Sequence, residues 1–300
     1  MKRKIKVGTR DSKLAMIQTQ MVIDSIIENN PDIEIEIVSL KTTGDKILDR
    51  ALDKIGGKGL FVKELDEALL SGEVDFTVHS FKDMPMEINE NLPIVALSER
   101  ADFRDVYILP KGHSNTEAPI GCGSKRRIVQ LKSIFKDKEI APIRGNVITR
   151  LEKLDRGEYS AIVLAAAGIK RLGLDERINR YFETEEILPS ACQGIIAVQG
   201  RKGENYDYLK YFNSPESQII AAAERSFVKE LDGGCSAPIA AFATVEENKV
   251  KLKGMYYNEE TEKLVKEEII GDISEAENMG IELAKKVKMR WTYWKKGLWR

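Results

Sequence analysis

The chain has 300 residues, with 47 Lys and Arg against 48 Asp and Glu, a formal net charge of -1 and a hydrophobic share of 42%. That length suits two or three domains, each able to bury its own core. The charge balance excludes a general nucleic-acid or membrane-surface binder, which needs a basic excess, so any cationic site must be assembled locally.

The opening MKRKIKVGTRDS is basic but lacks the apolar stretch of a secretion signal. Within it KIKVGT predicts a strand, and Ser12 is a good N-cap for a helix whose apolar positions Leu14, Ile17, Met21 and Ile26 follow helical spacing. Ile33, Ile35 and Ile37 alternate with Glu34 and Glu36, the pattern of a strand with one wet face. A helix from Phe61 to Leu70 and the strand-like DFTVHS complete an α/β unit.

After the loop ERADFRD the same grammar restarts. VYIL reads as a strand, and IGCG, EIAPI and AIVLA each lead into a helix. The longest apolar run, AIVLAAAGI, is too short to cross a bilayer. LPSACQGIIAV contains a further strand, expected to cross back toward the first unit. From Ser214 a long helix precedes three strand-like runs, around IAAFATV, KVKLKGMYY and KLVKEEII, and a closing helix runs from about Ser274 to Met289. The order αβββα predicts a small α+β domain. The expected organisation is an α/β domain of residues 1–96 and 194–213, a second α/β domain of 97–193, and an α+β domain of 214–300. The Trp-rich tail RWTYWKKGLWR is assigned no function.

Cationic residues gather where strands end and helices begin. Arg10 follows the first strand, and Lys54 and Lys58 bracket the glycines of DKIGGKGLF, whose amides suit an anion. Arg126 and Arg127 occupy the first turn of the helix after IGCG, where positive charge opposes the helix dipole. Arg144 and Arg150 flank a helix start, and Arg171 lies at a helix end. Each alone reads as a surface charge. Together, at the carboxyl ends of strands, they point to a cleft for a ligand with several negative charges, recognised by charge-assisted hydrogen bonds.

VHSFKDMP sets an acid among these bases. Strand alternation puts His79 and Phe81 on one face and Ser80 and Lys82 on the other, with Asp83 at the strand end. Asp83 is either a turn-forming residue or a carboxylate facing the cleft, able to stabilise a developing cation or move a proton. His79 reads as packing or support. With His113 it makes up the histidine complement, and no triad or zinc pattern surrounds either; no metal is expected.

Three widely spaced cysteines, Cys122, Cys192 and Cys235, form neither a disulfide framework nor a metal-ligand spacing, which fits a reducing cytoplasm. Cys235 follows Gly233 and Gly234, a pair suited to the left-handed angles that stop the helix of Pro215 to Leu231. Its thiol is expected on a turn. A free cysteine is more often a small buried hydrophobe than a reactive group.

Seven segments together carry a family resemblance: RDS at Arg10, KTTGD at Lys41, GGKGLFVKEL at Gly56, VHSFKDMP at Val78, RGNVITRL at Arg144, LAAAGIKRLG at Leu164 and AAERSFVKELDGGCSAPI at Ala222. In this order they resemble the porphobilinogen deaminase, or hydroxymethylbilane synthase, family over almost the whole chain. The resemblance implies two domains like type II periplasmic binding proteins plus a small α+β domain. It implies a transferase of tetrapyrrole biosynthesis that condenses four porphobilinogen molecules head to tail, releasing ammonia and finally hydroxymethylbilane. It also implies a dipyrromethane cofactor held by a thioether at Cys235, which acts as primer.

Carried over by position, Asp83 is the catalytic carboxylate, stabilising the azafulvene cation left by loss of ammonia. Ser80, Lys82, Ser124, Arg126, Arg127, Arg144 and Arg171 are implied cofactor contacts. Arg10, Ser12, Arg144, Arg150, Lys54, Lys58 and Gln193 are implied substrate contacts. A cytoplasmic monomer without nucleic-acid or membrane partners is expected.

Two departures from the family pattern stand out. GCGSKRR has Cys122 and Gly123 where the family has hydroxyl residues, leaving Ser124, and LPSACQG has Cys192 where the family has Gly. Cys122, beside two arginines, would have a lowered thiol pKa if their charge dominated; an inert small side chain is the other reading. A solute-binding protein would share the cleft and arginines but have no need of Cys235 or a third domain. A cysteine hydrolase would need a histidine base, which neither histidine's motif supplies.

Overall fold

A computed structural model describes residues 3–42, 62–112, 117–233 and 237–295. The first sheet contains β1 (Arg3–Arg10), β2 (Ile33–Leu40), β3 (Phe76–Ser80), β4 (Ile94–Leu97) and β10 (Ile196–Gly200), in the order β2-β1-β3-β10-β4. β1 runs parallel to β2 and β3, while β10 returns from the far end of the next domain and pairs antiparallel with β3 and β4. In-register pairs such as Ile5 with Ile35 and Val7 with Ile37 place one face of the β1–β2 ladder toward the core, where Ile5 and Val7 meet Val22, Ile26 and Phe76. α1 (Lys13–Asn29) is capped as expected, the Ser12 hydroxyl accepting from Ala15 N at 3.3 Å. α2 (Lys63–Leu70) follows residues outside the described set.

The second sheet repeats this plan with β5 (Asp105–Ile108), β6 (Ile120–Gly121), β7 (Ile140–Ala141), β8 (Ala161–Ala165) and β9 (Arg180–Phe182), in the order β7-β6-β8-β5-β9. β6 is parallel to β7 and β8, and β5 runs antiparallel between β8 and β9. α3 (Lys125–Ile134), α4 (Val147–Asp155) and α5 (Ala166–Arg171) follow β6, β7 and β8. The edge strands β4 and β9 escape the sequence reading because neither is long enough to show a period.

The third domain is α6 (Pro215–Glu230), the antiparallel sheet β11 (Ile239–Glu246), β12 (Lys249–Asn258) and β13 (Lys263–Asp272), and α7 (Ala276–Lys295). The fold is thus α/β, with two five-stranded α/β units and a small α+β domain. Gly280 lets α7 lie against α6, since a Cβ there would meet Ser226 Oγ at 1.9 Å. α7 runs beyond the expected end at Met289 because no glycine or proline intervenes before Lys295. Among the described residues no helix is long and apolar enough to cross a membrane.

One core joins the third domain to the first. Phe81, Met84, Leu97 and Ala197 pack with Phe227, Leu252 and Leu283, and the Arg225 guanidinium lies 4.5 Å from the centre of the Phe81 ring. The second domain meets the third through a smaller cluster, Leu188 and Phe103 against Phe242 and Met255.

Candidate active site

The carboxyl ends of β1 and β3 face those of β6 and β8 across a cleft of about 1650 Å³. Ligands bind at such strand ends because the loops and helix starts there leave backbone and side-chain donors unpaired. The third domain reaches the same cleft with Lys229, Asp232 and Gly233.

The acid-bearing segment differs from the expectation of a strand running to Asp83. β3 stops at Ser80, and Phe81–Asp83 form a single 3-10 turn closed by Met84 N donating to Phe81 O at 3.2 Å. Phe81 therefore points into the core shared with the third domain, while Asp83 is exposed on the cleft wall. Ser80 exchanges hydrogen bonds with the Gln18 amide of α1 at 2.8 and 3.1 Å. His79 is buried, its Nε2 lies 2.8 Å from Thr77 Oγ1, and burial pulls its pKa down to about 4 with help from Arg10, so it is a neutral support residue. Burial likewise pulls half-buried Lys82 down to about 8, against the raising effect of Asp83 beside it.

All six arginines line the cleft; Arg10 stands at the end of β1, and the other five fall into two groups. Arg126 and Arg127 are buried against Asp105, with Nη1 of Arg126 2.7 Å from Oδ2, and Nε and Nη2 of Arg127 3.0 and 2.7 Å from Oδ1. Burial alone would raise the Asp105 carboxyl, but the two guanidiniums hold it well below the usual carboxylate range. Two cations share one anion, so the floor of the cleft keeps a positive surplus.

Arg144, Arg150 and Arg171 are less satisfied. The Nε atoms of Arg144 and Arg171 are buried without a hydrogen-bond partner. Arg150 donates from Nε to Gly145 O at 2.7 Å, and Arg171 from Nη2 to Gly194 O at 2.7 Å. Burial pulls both toward about 10, and Arg150 is pushed further by repulsion from Arg127 and Arg144. Orphaned guanidinium donors among mutually repelling cations fit a ligand bearing several carboxylates, which would relieve both costs.

The crossing from β8's domain back to β10 contains the departure at Cys192. Its φ is +60°, in the left-handed region where glycine sits without strain, so the backbone there suits the Gly that the resemblance implies. Burial pushes its thiol up to about 12, and burial also raises the Cys122 thiol despite the pull of Arg127. The lowered pKa expected of Cys122 if its arginines dominated does not occur, because desolvation outweighs them. Gly194, at φ +95°, would bring a Cβ within 2.6 Å of Ala101 O, so this second crossing segment packs directly on the first, residues 98–104 between β4 and β5.

Gln193, between them, is 1% exposed, lines the cleft and engages protein partners through both ends of its amide. Ser12 and Ser124 both line the cleft; the Ser12 hydroxyl caps α1, whereas Ser124 starts α3 without a side-chain cap bond. Lys54, Lys58, His113 and Cys235 lie outside the described residues. The helix stop before Cys235 is described: Asp232, with φ +54°, takes the left-handed position expected of Gly233, and Gly233 N donates to Val228 O at 3.0 Å. Gly233 is needed instead for space, since a Cβ would meet Ile239 Cδ1 at 2.5 Å.

Sequence reasoning missed Asp105, Gln18 and Glu224. Asp105 opens an otherwise apolar strand, and Glu224 falls on the apolar stripe of α6 with Ile220, Phe227 and Val228, so both carried a legible signal of a paired buried charge. Among the described residues no group of His, Cys, Asp and Glu could hold a metal ion.

A family model described as porphobilinogen deaminase, dipyromethane cofactor binding domain, matches residues 5–207, and one described as porphobilinogen deaminase, C-terminal domain, matches 219–289. A porphobilinogen deaminase of Ruminiclostridium cellulolyticum is 61% identical over 95% of this chain and 98% of its own length. One of Acetivibrio thermocellus is 58% identical over 94% of this chain and 97% of its own. Among solved structures, the methionine-binding protein MetQ aligns with a TM-score of 0.45 and 13% identity, covering 73% of this chain and 93% of that one.

Proposed function

The chain belongs to the porphobilinogen deaminase family, and from that premise we propose how its residues divide the work of a hydroxymethylbilane synthase. The enzyme is a transferase of tetrapyrrole biosynthesis. It joins four porphobilinogen molecules head to tail, loses one ammonia at each step and releases hydroxymethylbilane by hydrolysis. Family membership favours this over a solute-binding protein with the same cleft.

The dipyrromethane cofactor, when bound, supplies the primer pyrrole to which the first substrate unit is joined. Cys235 holds it by a thioether. In support, Asp232 and Gly233, the described residues that come just before Cys235 in the sequence, line the cleft. Arg144 and Arg171 take carboxylates with the donors that now lack partners, each such bond contributing about 1.5–3 kcal/mol when shielded from water. Lys82 and Ser124 add further donors, and Ser80 supports Lys82's turn from the end of β3. Arg126 and Arg127 act mainly through their positive surplus over Asp105.

Asp83 is the catalytic carboxylate. As ammonia leaves the substrate's aminomethyl carbon, positive charge spreads onto the pyrrole, and an anion about 4 Å away in a partly shielded cleft is worth about 4 kcal/mol. Arg10 and Arg150 hold the substrate's acetate and propionate so that the reacting carbon faces this acid. Ser12, Lys54 and Lys58 are assigned to the same task by position in the family motifs.

The observation that carries this reading is Asp83, an exposed carboxylate on the wall of a cleft lined by six arginines, two of which share the single buried carboxylate of Asp105. Incubating the purified protein with porphobilinogen and measuring ammonia and hydroxymethylbilane tests it. Binding of porphobilinogen without either product would overturn it. We further infer a cytoplasmic monomer that uses no nucleic acid, supported by the balanced charge and the widely spaced cysteines.

A further inference from the structure

Gln193 stands where three parts of the molecule meet. Its Nε2 donates to Phe103 O at 2.7 Å and to Asp105 Oδ1 at 2.9 Å, both in the second domain. Its Oε1 accepts from Lys82 Nζ of the first domain at 3.2 Å, and from Arg127 Nη2 at 3.5 Å. The residue is 1% exposed and sits between two residues of positive φ, Cys192 and Gly194. A backbone bent this tightly on both sides fixes where the amide points.

An amide here does what neither a carboxylate nor an apolar side chain can do. It presents donors to Asp105 and an acceptor to Lys82, so it separates a lysine from a buried carboxylate that would otherwise attract it. Among the charged groups acting on Lys82 are Asp83, Asp105, Arg126 and Arg127. With Gln193 in place, Asp105 remains committed to the two arginines, and Lys82 stays beside Asp83 on the cleft wall.

We propose that Gln193 is a positioning residue that couples the hinge to the catalytic acid: it is fixed to the second domain through Phe103 and Asp105, and holds Lys82 in place only while the two sheets are closed on each other. The two short bonds tie the amide to the second domain and the longer one reaches the first. Opening the cleft therefore breaks the contact to Lys82 before it breaks those to Phe103 and Asp105. The proposal rests on the reading of Lys82 as a carboxylate contact for its effect on turnover, but the Gln193–Lys82 coupling stands independently of that reading.

The test compares holoenzyme carrying Gln193→Met or Gln193→Glu with wild type, reading Lys82 acylation by peptide mass spectrometry relative to the other lysines, together with kcat, KM and intact mass. Gln193→Met removes the acceptor, and Lys82 should acylate faster. Gln193→Glu places a negative charge at Nζ, and Lys82 should acylate more slowly. Both should lower kcat about tenfold to a hundredfold, as small misplacements near a reacting centre do, with KM changing less and the cofactor mass retained. Equal acylation in all three proteins, or the same direction of change in both variants, would overturn the coupling even if activity fell. Lys82→Met separates the two readings: full activity in that variant would remove Lys82 from the site while leaving the acylation result to decide the coupling.

Discussion

Arg100 and Glu224 join the first crossing segment to the third domain through a buried ion pair, with Nη2 of Arg100 2.8 and 2.7 Å from the two carboxylate oxygens. Glu224 has no exposed surface and also accepts from Cys192 N and Ala243 N, each at 2.6 Å. One carboxylate thus ties together both crossing segments, α6 and β11. The third domain is thereby held to both segments that connect the first two sheets.

Removing either partner leaves the other charge buried without compensation. Arg100→Met should cost about 3–5 kcal/mol of stability, the range for a broken buried pair. Urea unfolding of the purified variant checks this. A loss below about 1 kcal/mol would show the pair to be dispensable.

Asp83 makes the opposite prediction. It is exposed and packs in no core, so Asp83→Ala should leave the melting temperature within a few degrees of wild type. Turnover should fall by roughly 10² to 10⁴, the range for a positioned acid or base group. Steady-state kinetics beside a thermal melt decides it. Activity within a few-fold of wild type would remove Asp83 from its assigned role.

Asp66, on the face of α2 that lines the cleft, has a buried Oδ1 with no hydrogen-bond partner, and burial lifts its carboxyl to about 6 from an ordinary 3.8. The folded state therefore binds this proton more tightly than the unfolded state does. The stabilisation is fully present below about pH 4 and is lost as pH rises through about 6. Asp66→Asn should accordingly raise the stability at pH 8, by on the order of 1 kcal/mol because the group is only partly buried, and with it the melting temperature, and have little effect at pH 4. Melts at the two pH values test this; an equal shift at both would contradict it.

Much of this molecule is legible in its sequence because long elements impose their period. The alternation of Ile33, Ile35 and Ile37, the Ser12 cap and the αβββα order of the third domain all appear where pattern places them. The arginines were located by their position at strand ends, and all six do line the cleft. What pattern does not reveal is pairing across the fold. Arg126 and Arg127 looked like two free cations, because Asp105, about twenty residues earlier, becomes their neighbour only when β5 and α3 pack. The turn at Phe81–Asp83 was hidden for a related reason: five alternating residues before it look the same whether the strand continues or stops. For Gln193, likewise, the motif gives no sign of the partners its buried amide finds in Lys82 and Asp105.

The central claim is that this cleft works on a primer carried by Cys235. Intact-protein mass spectrometry of the active enzyme tests it most directly. The account predicts a mass above that of the polypeptide by one dipyrromethane, located to the peptide containing Cys235 and absent from Cys235→Ala. A fully active preparation with the mass of the bare chain would contradict it.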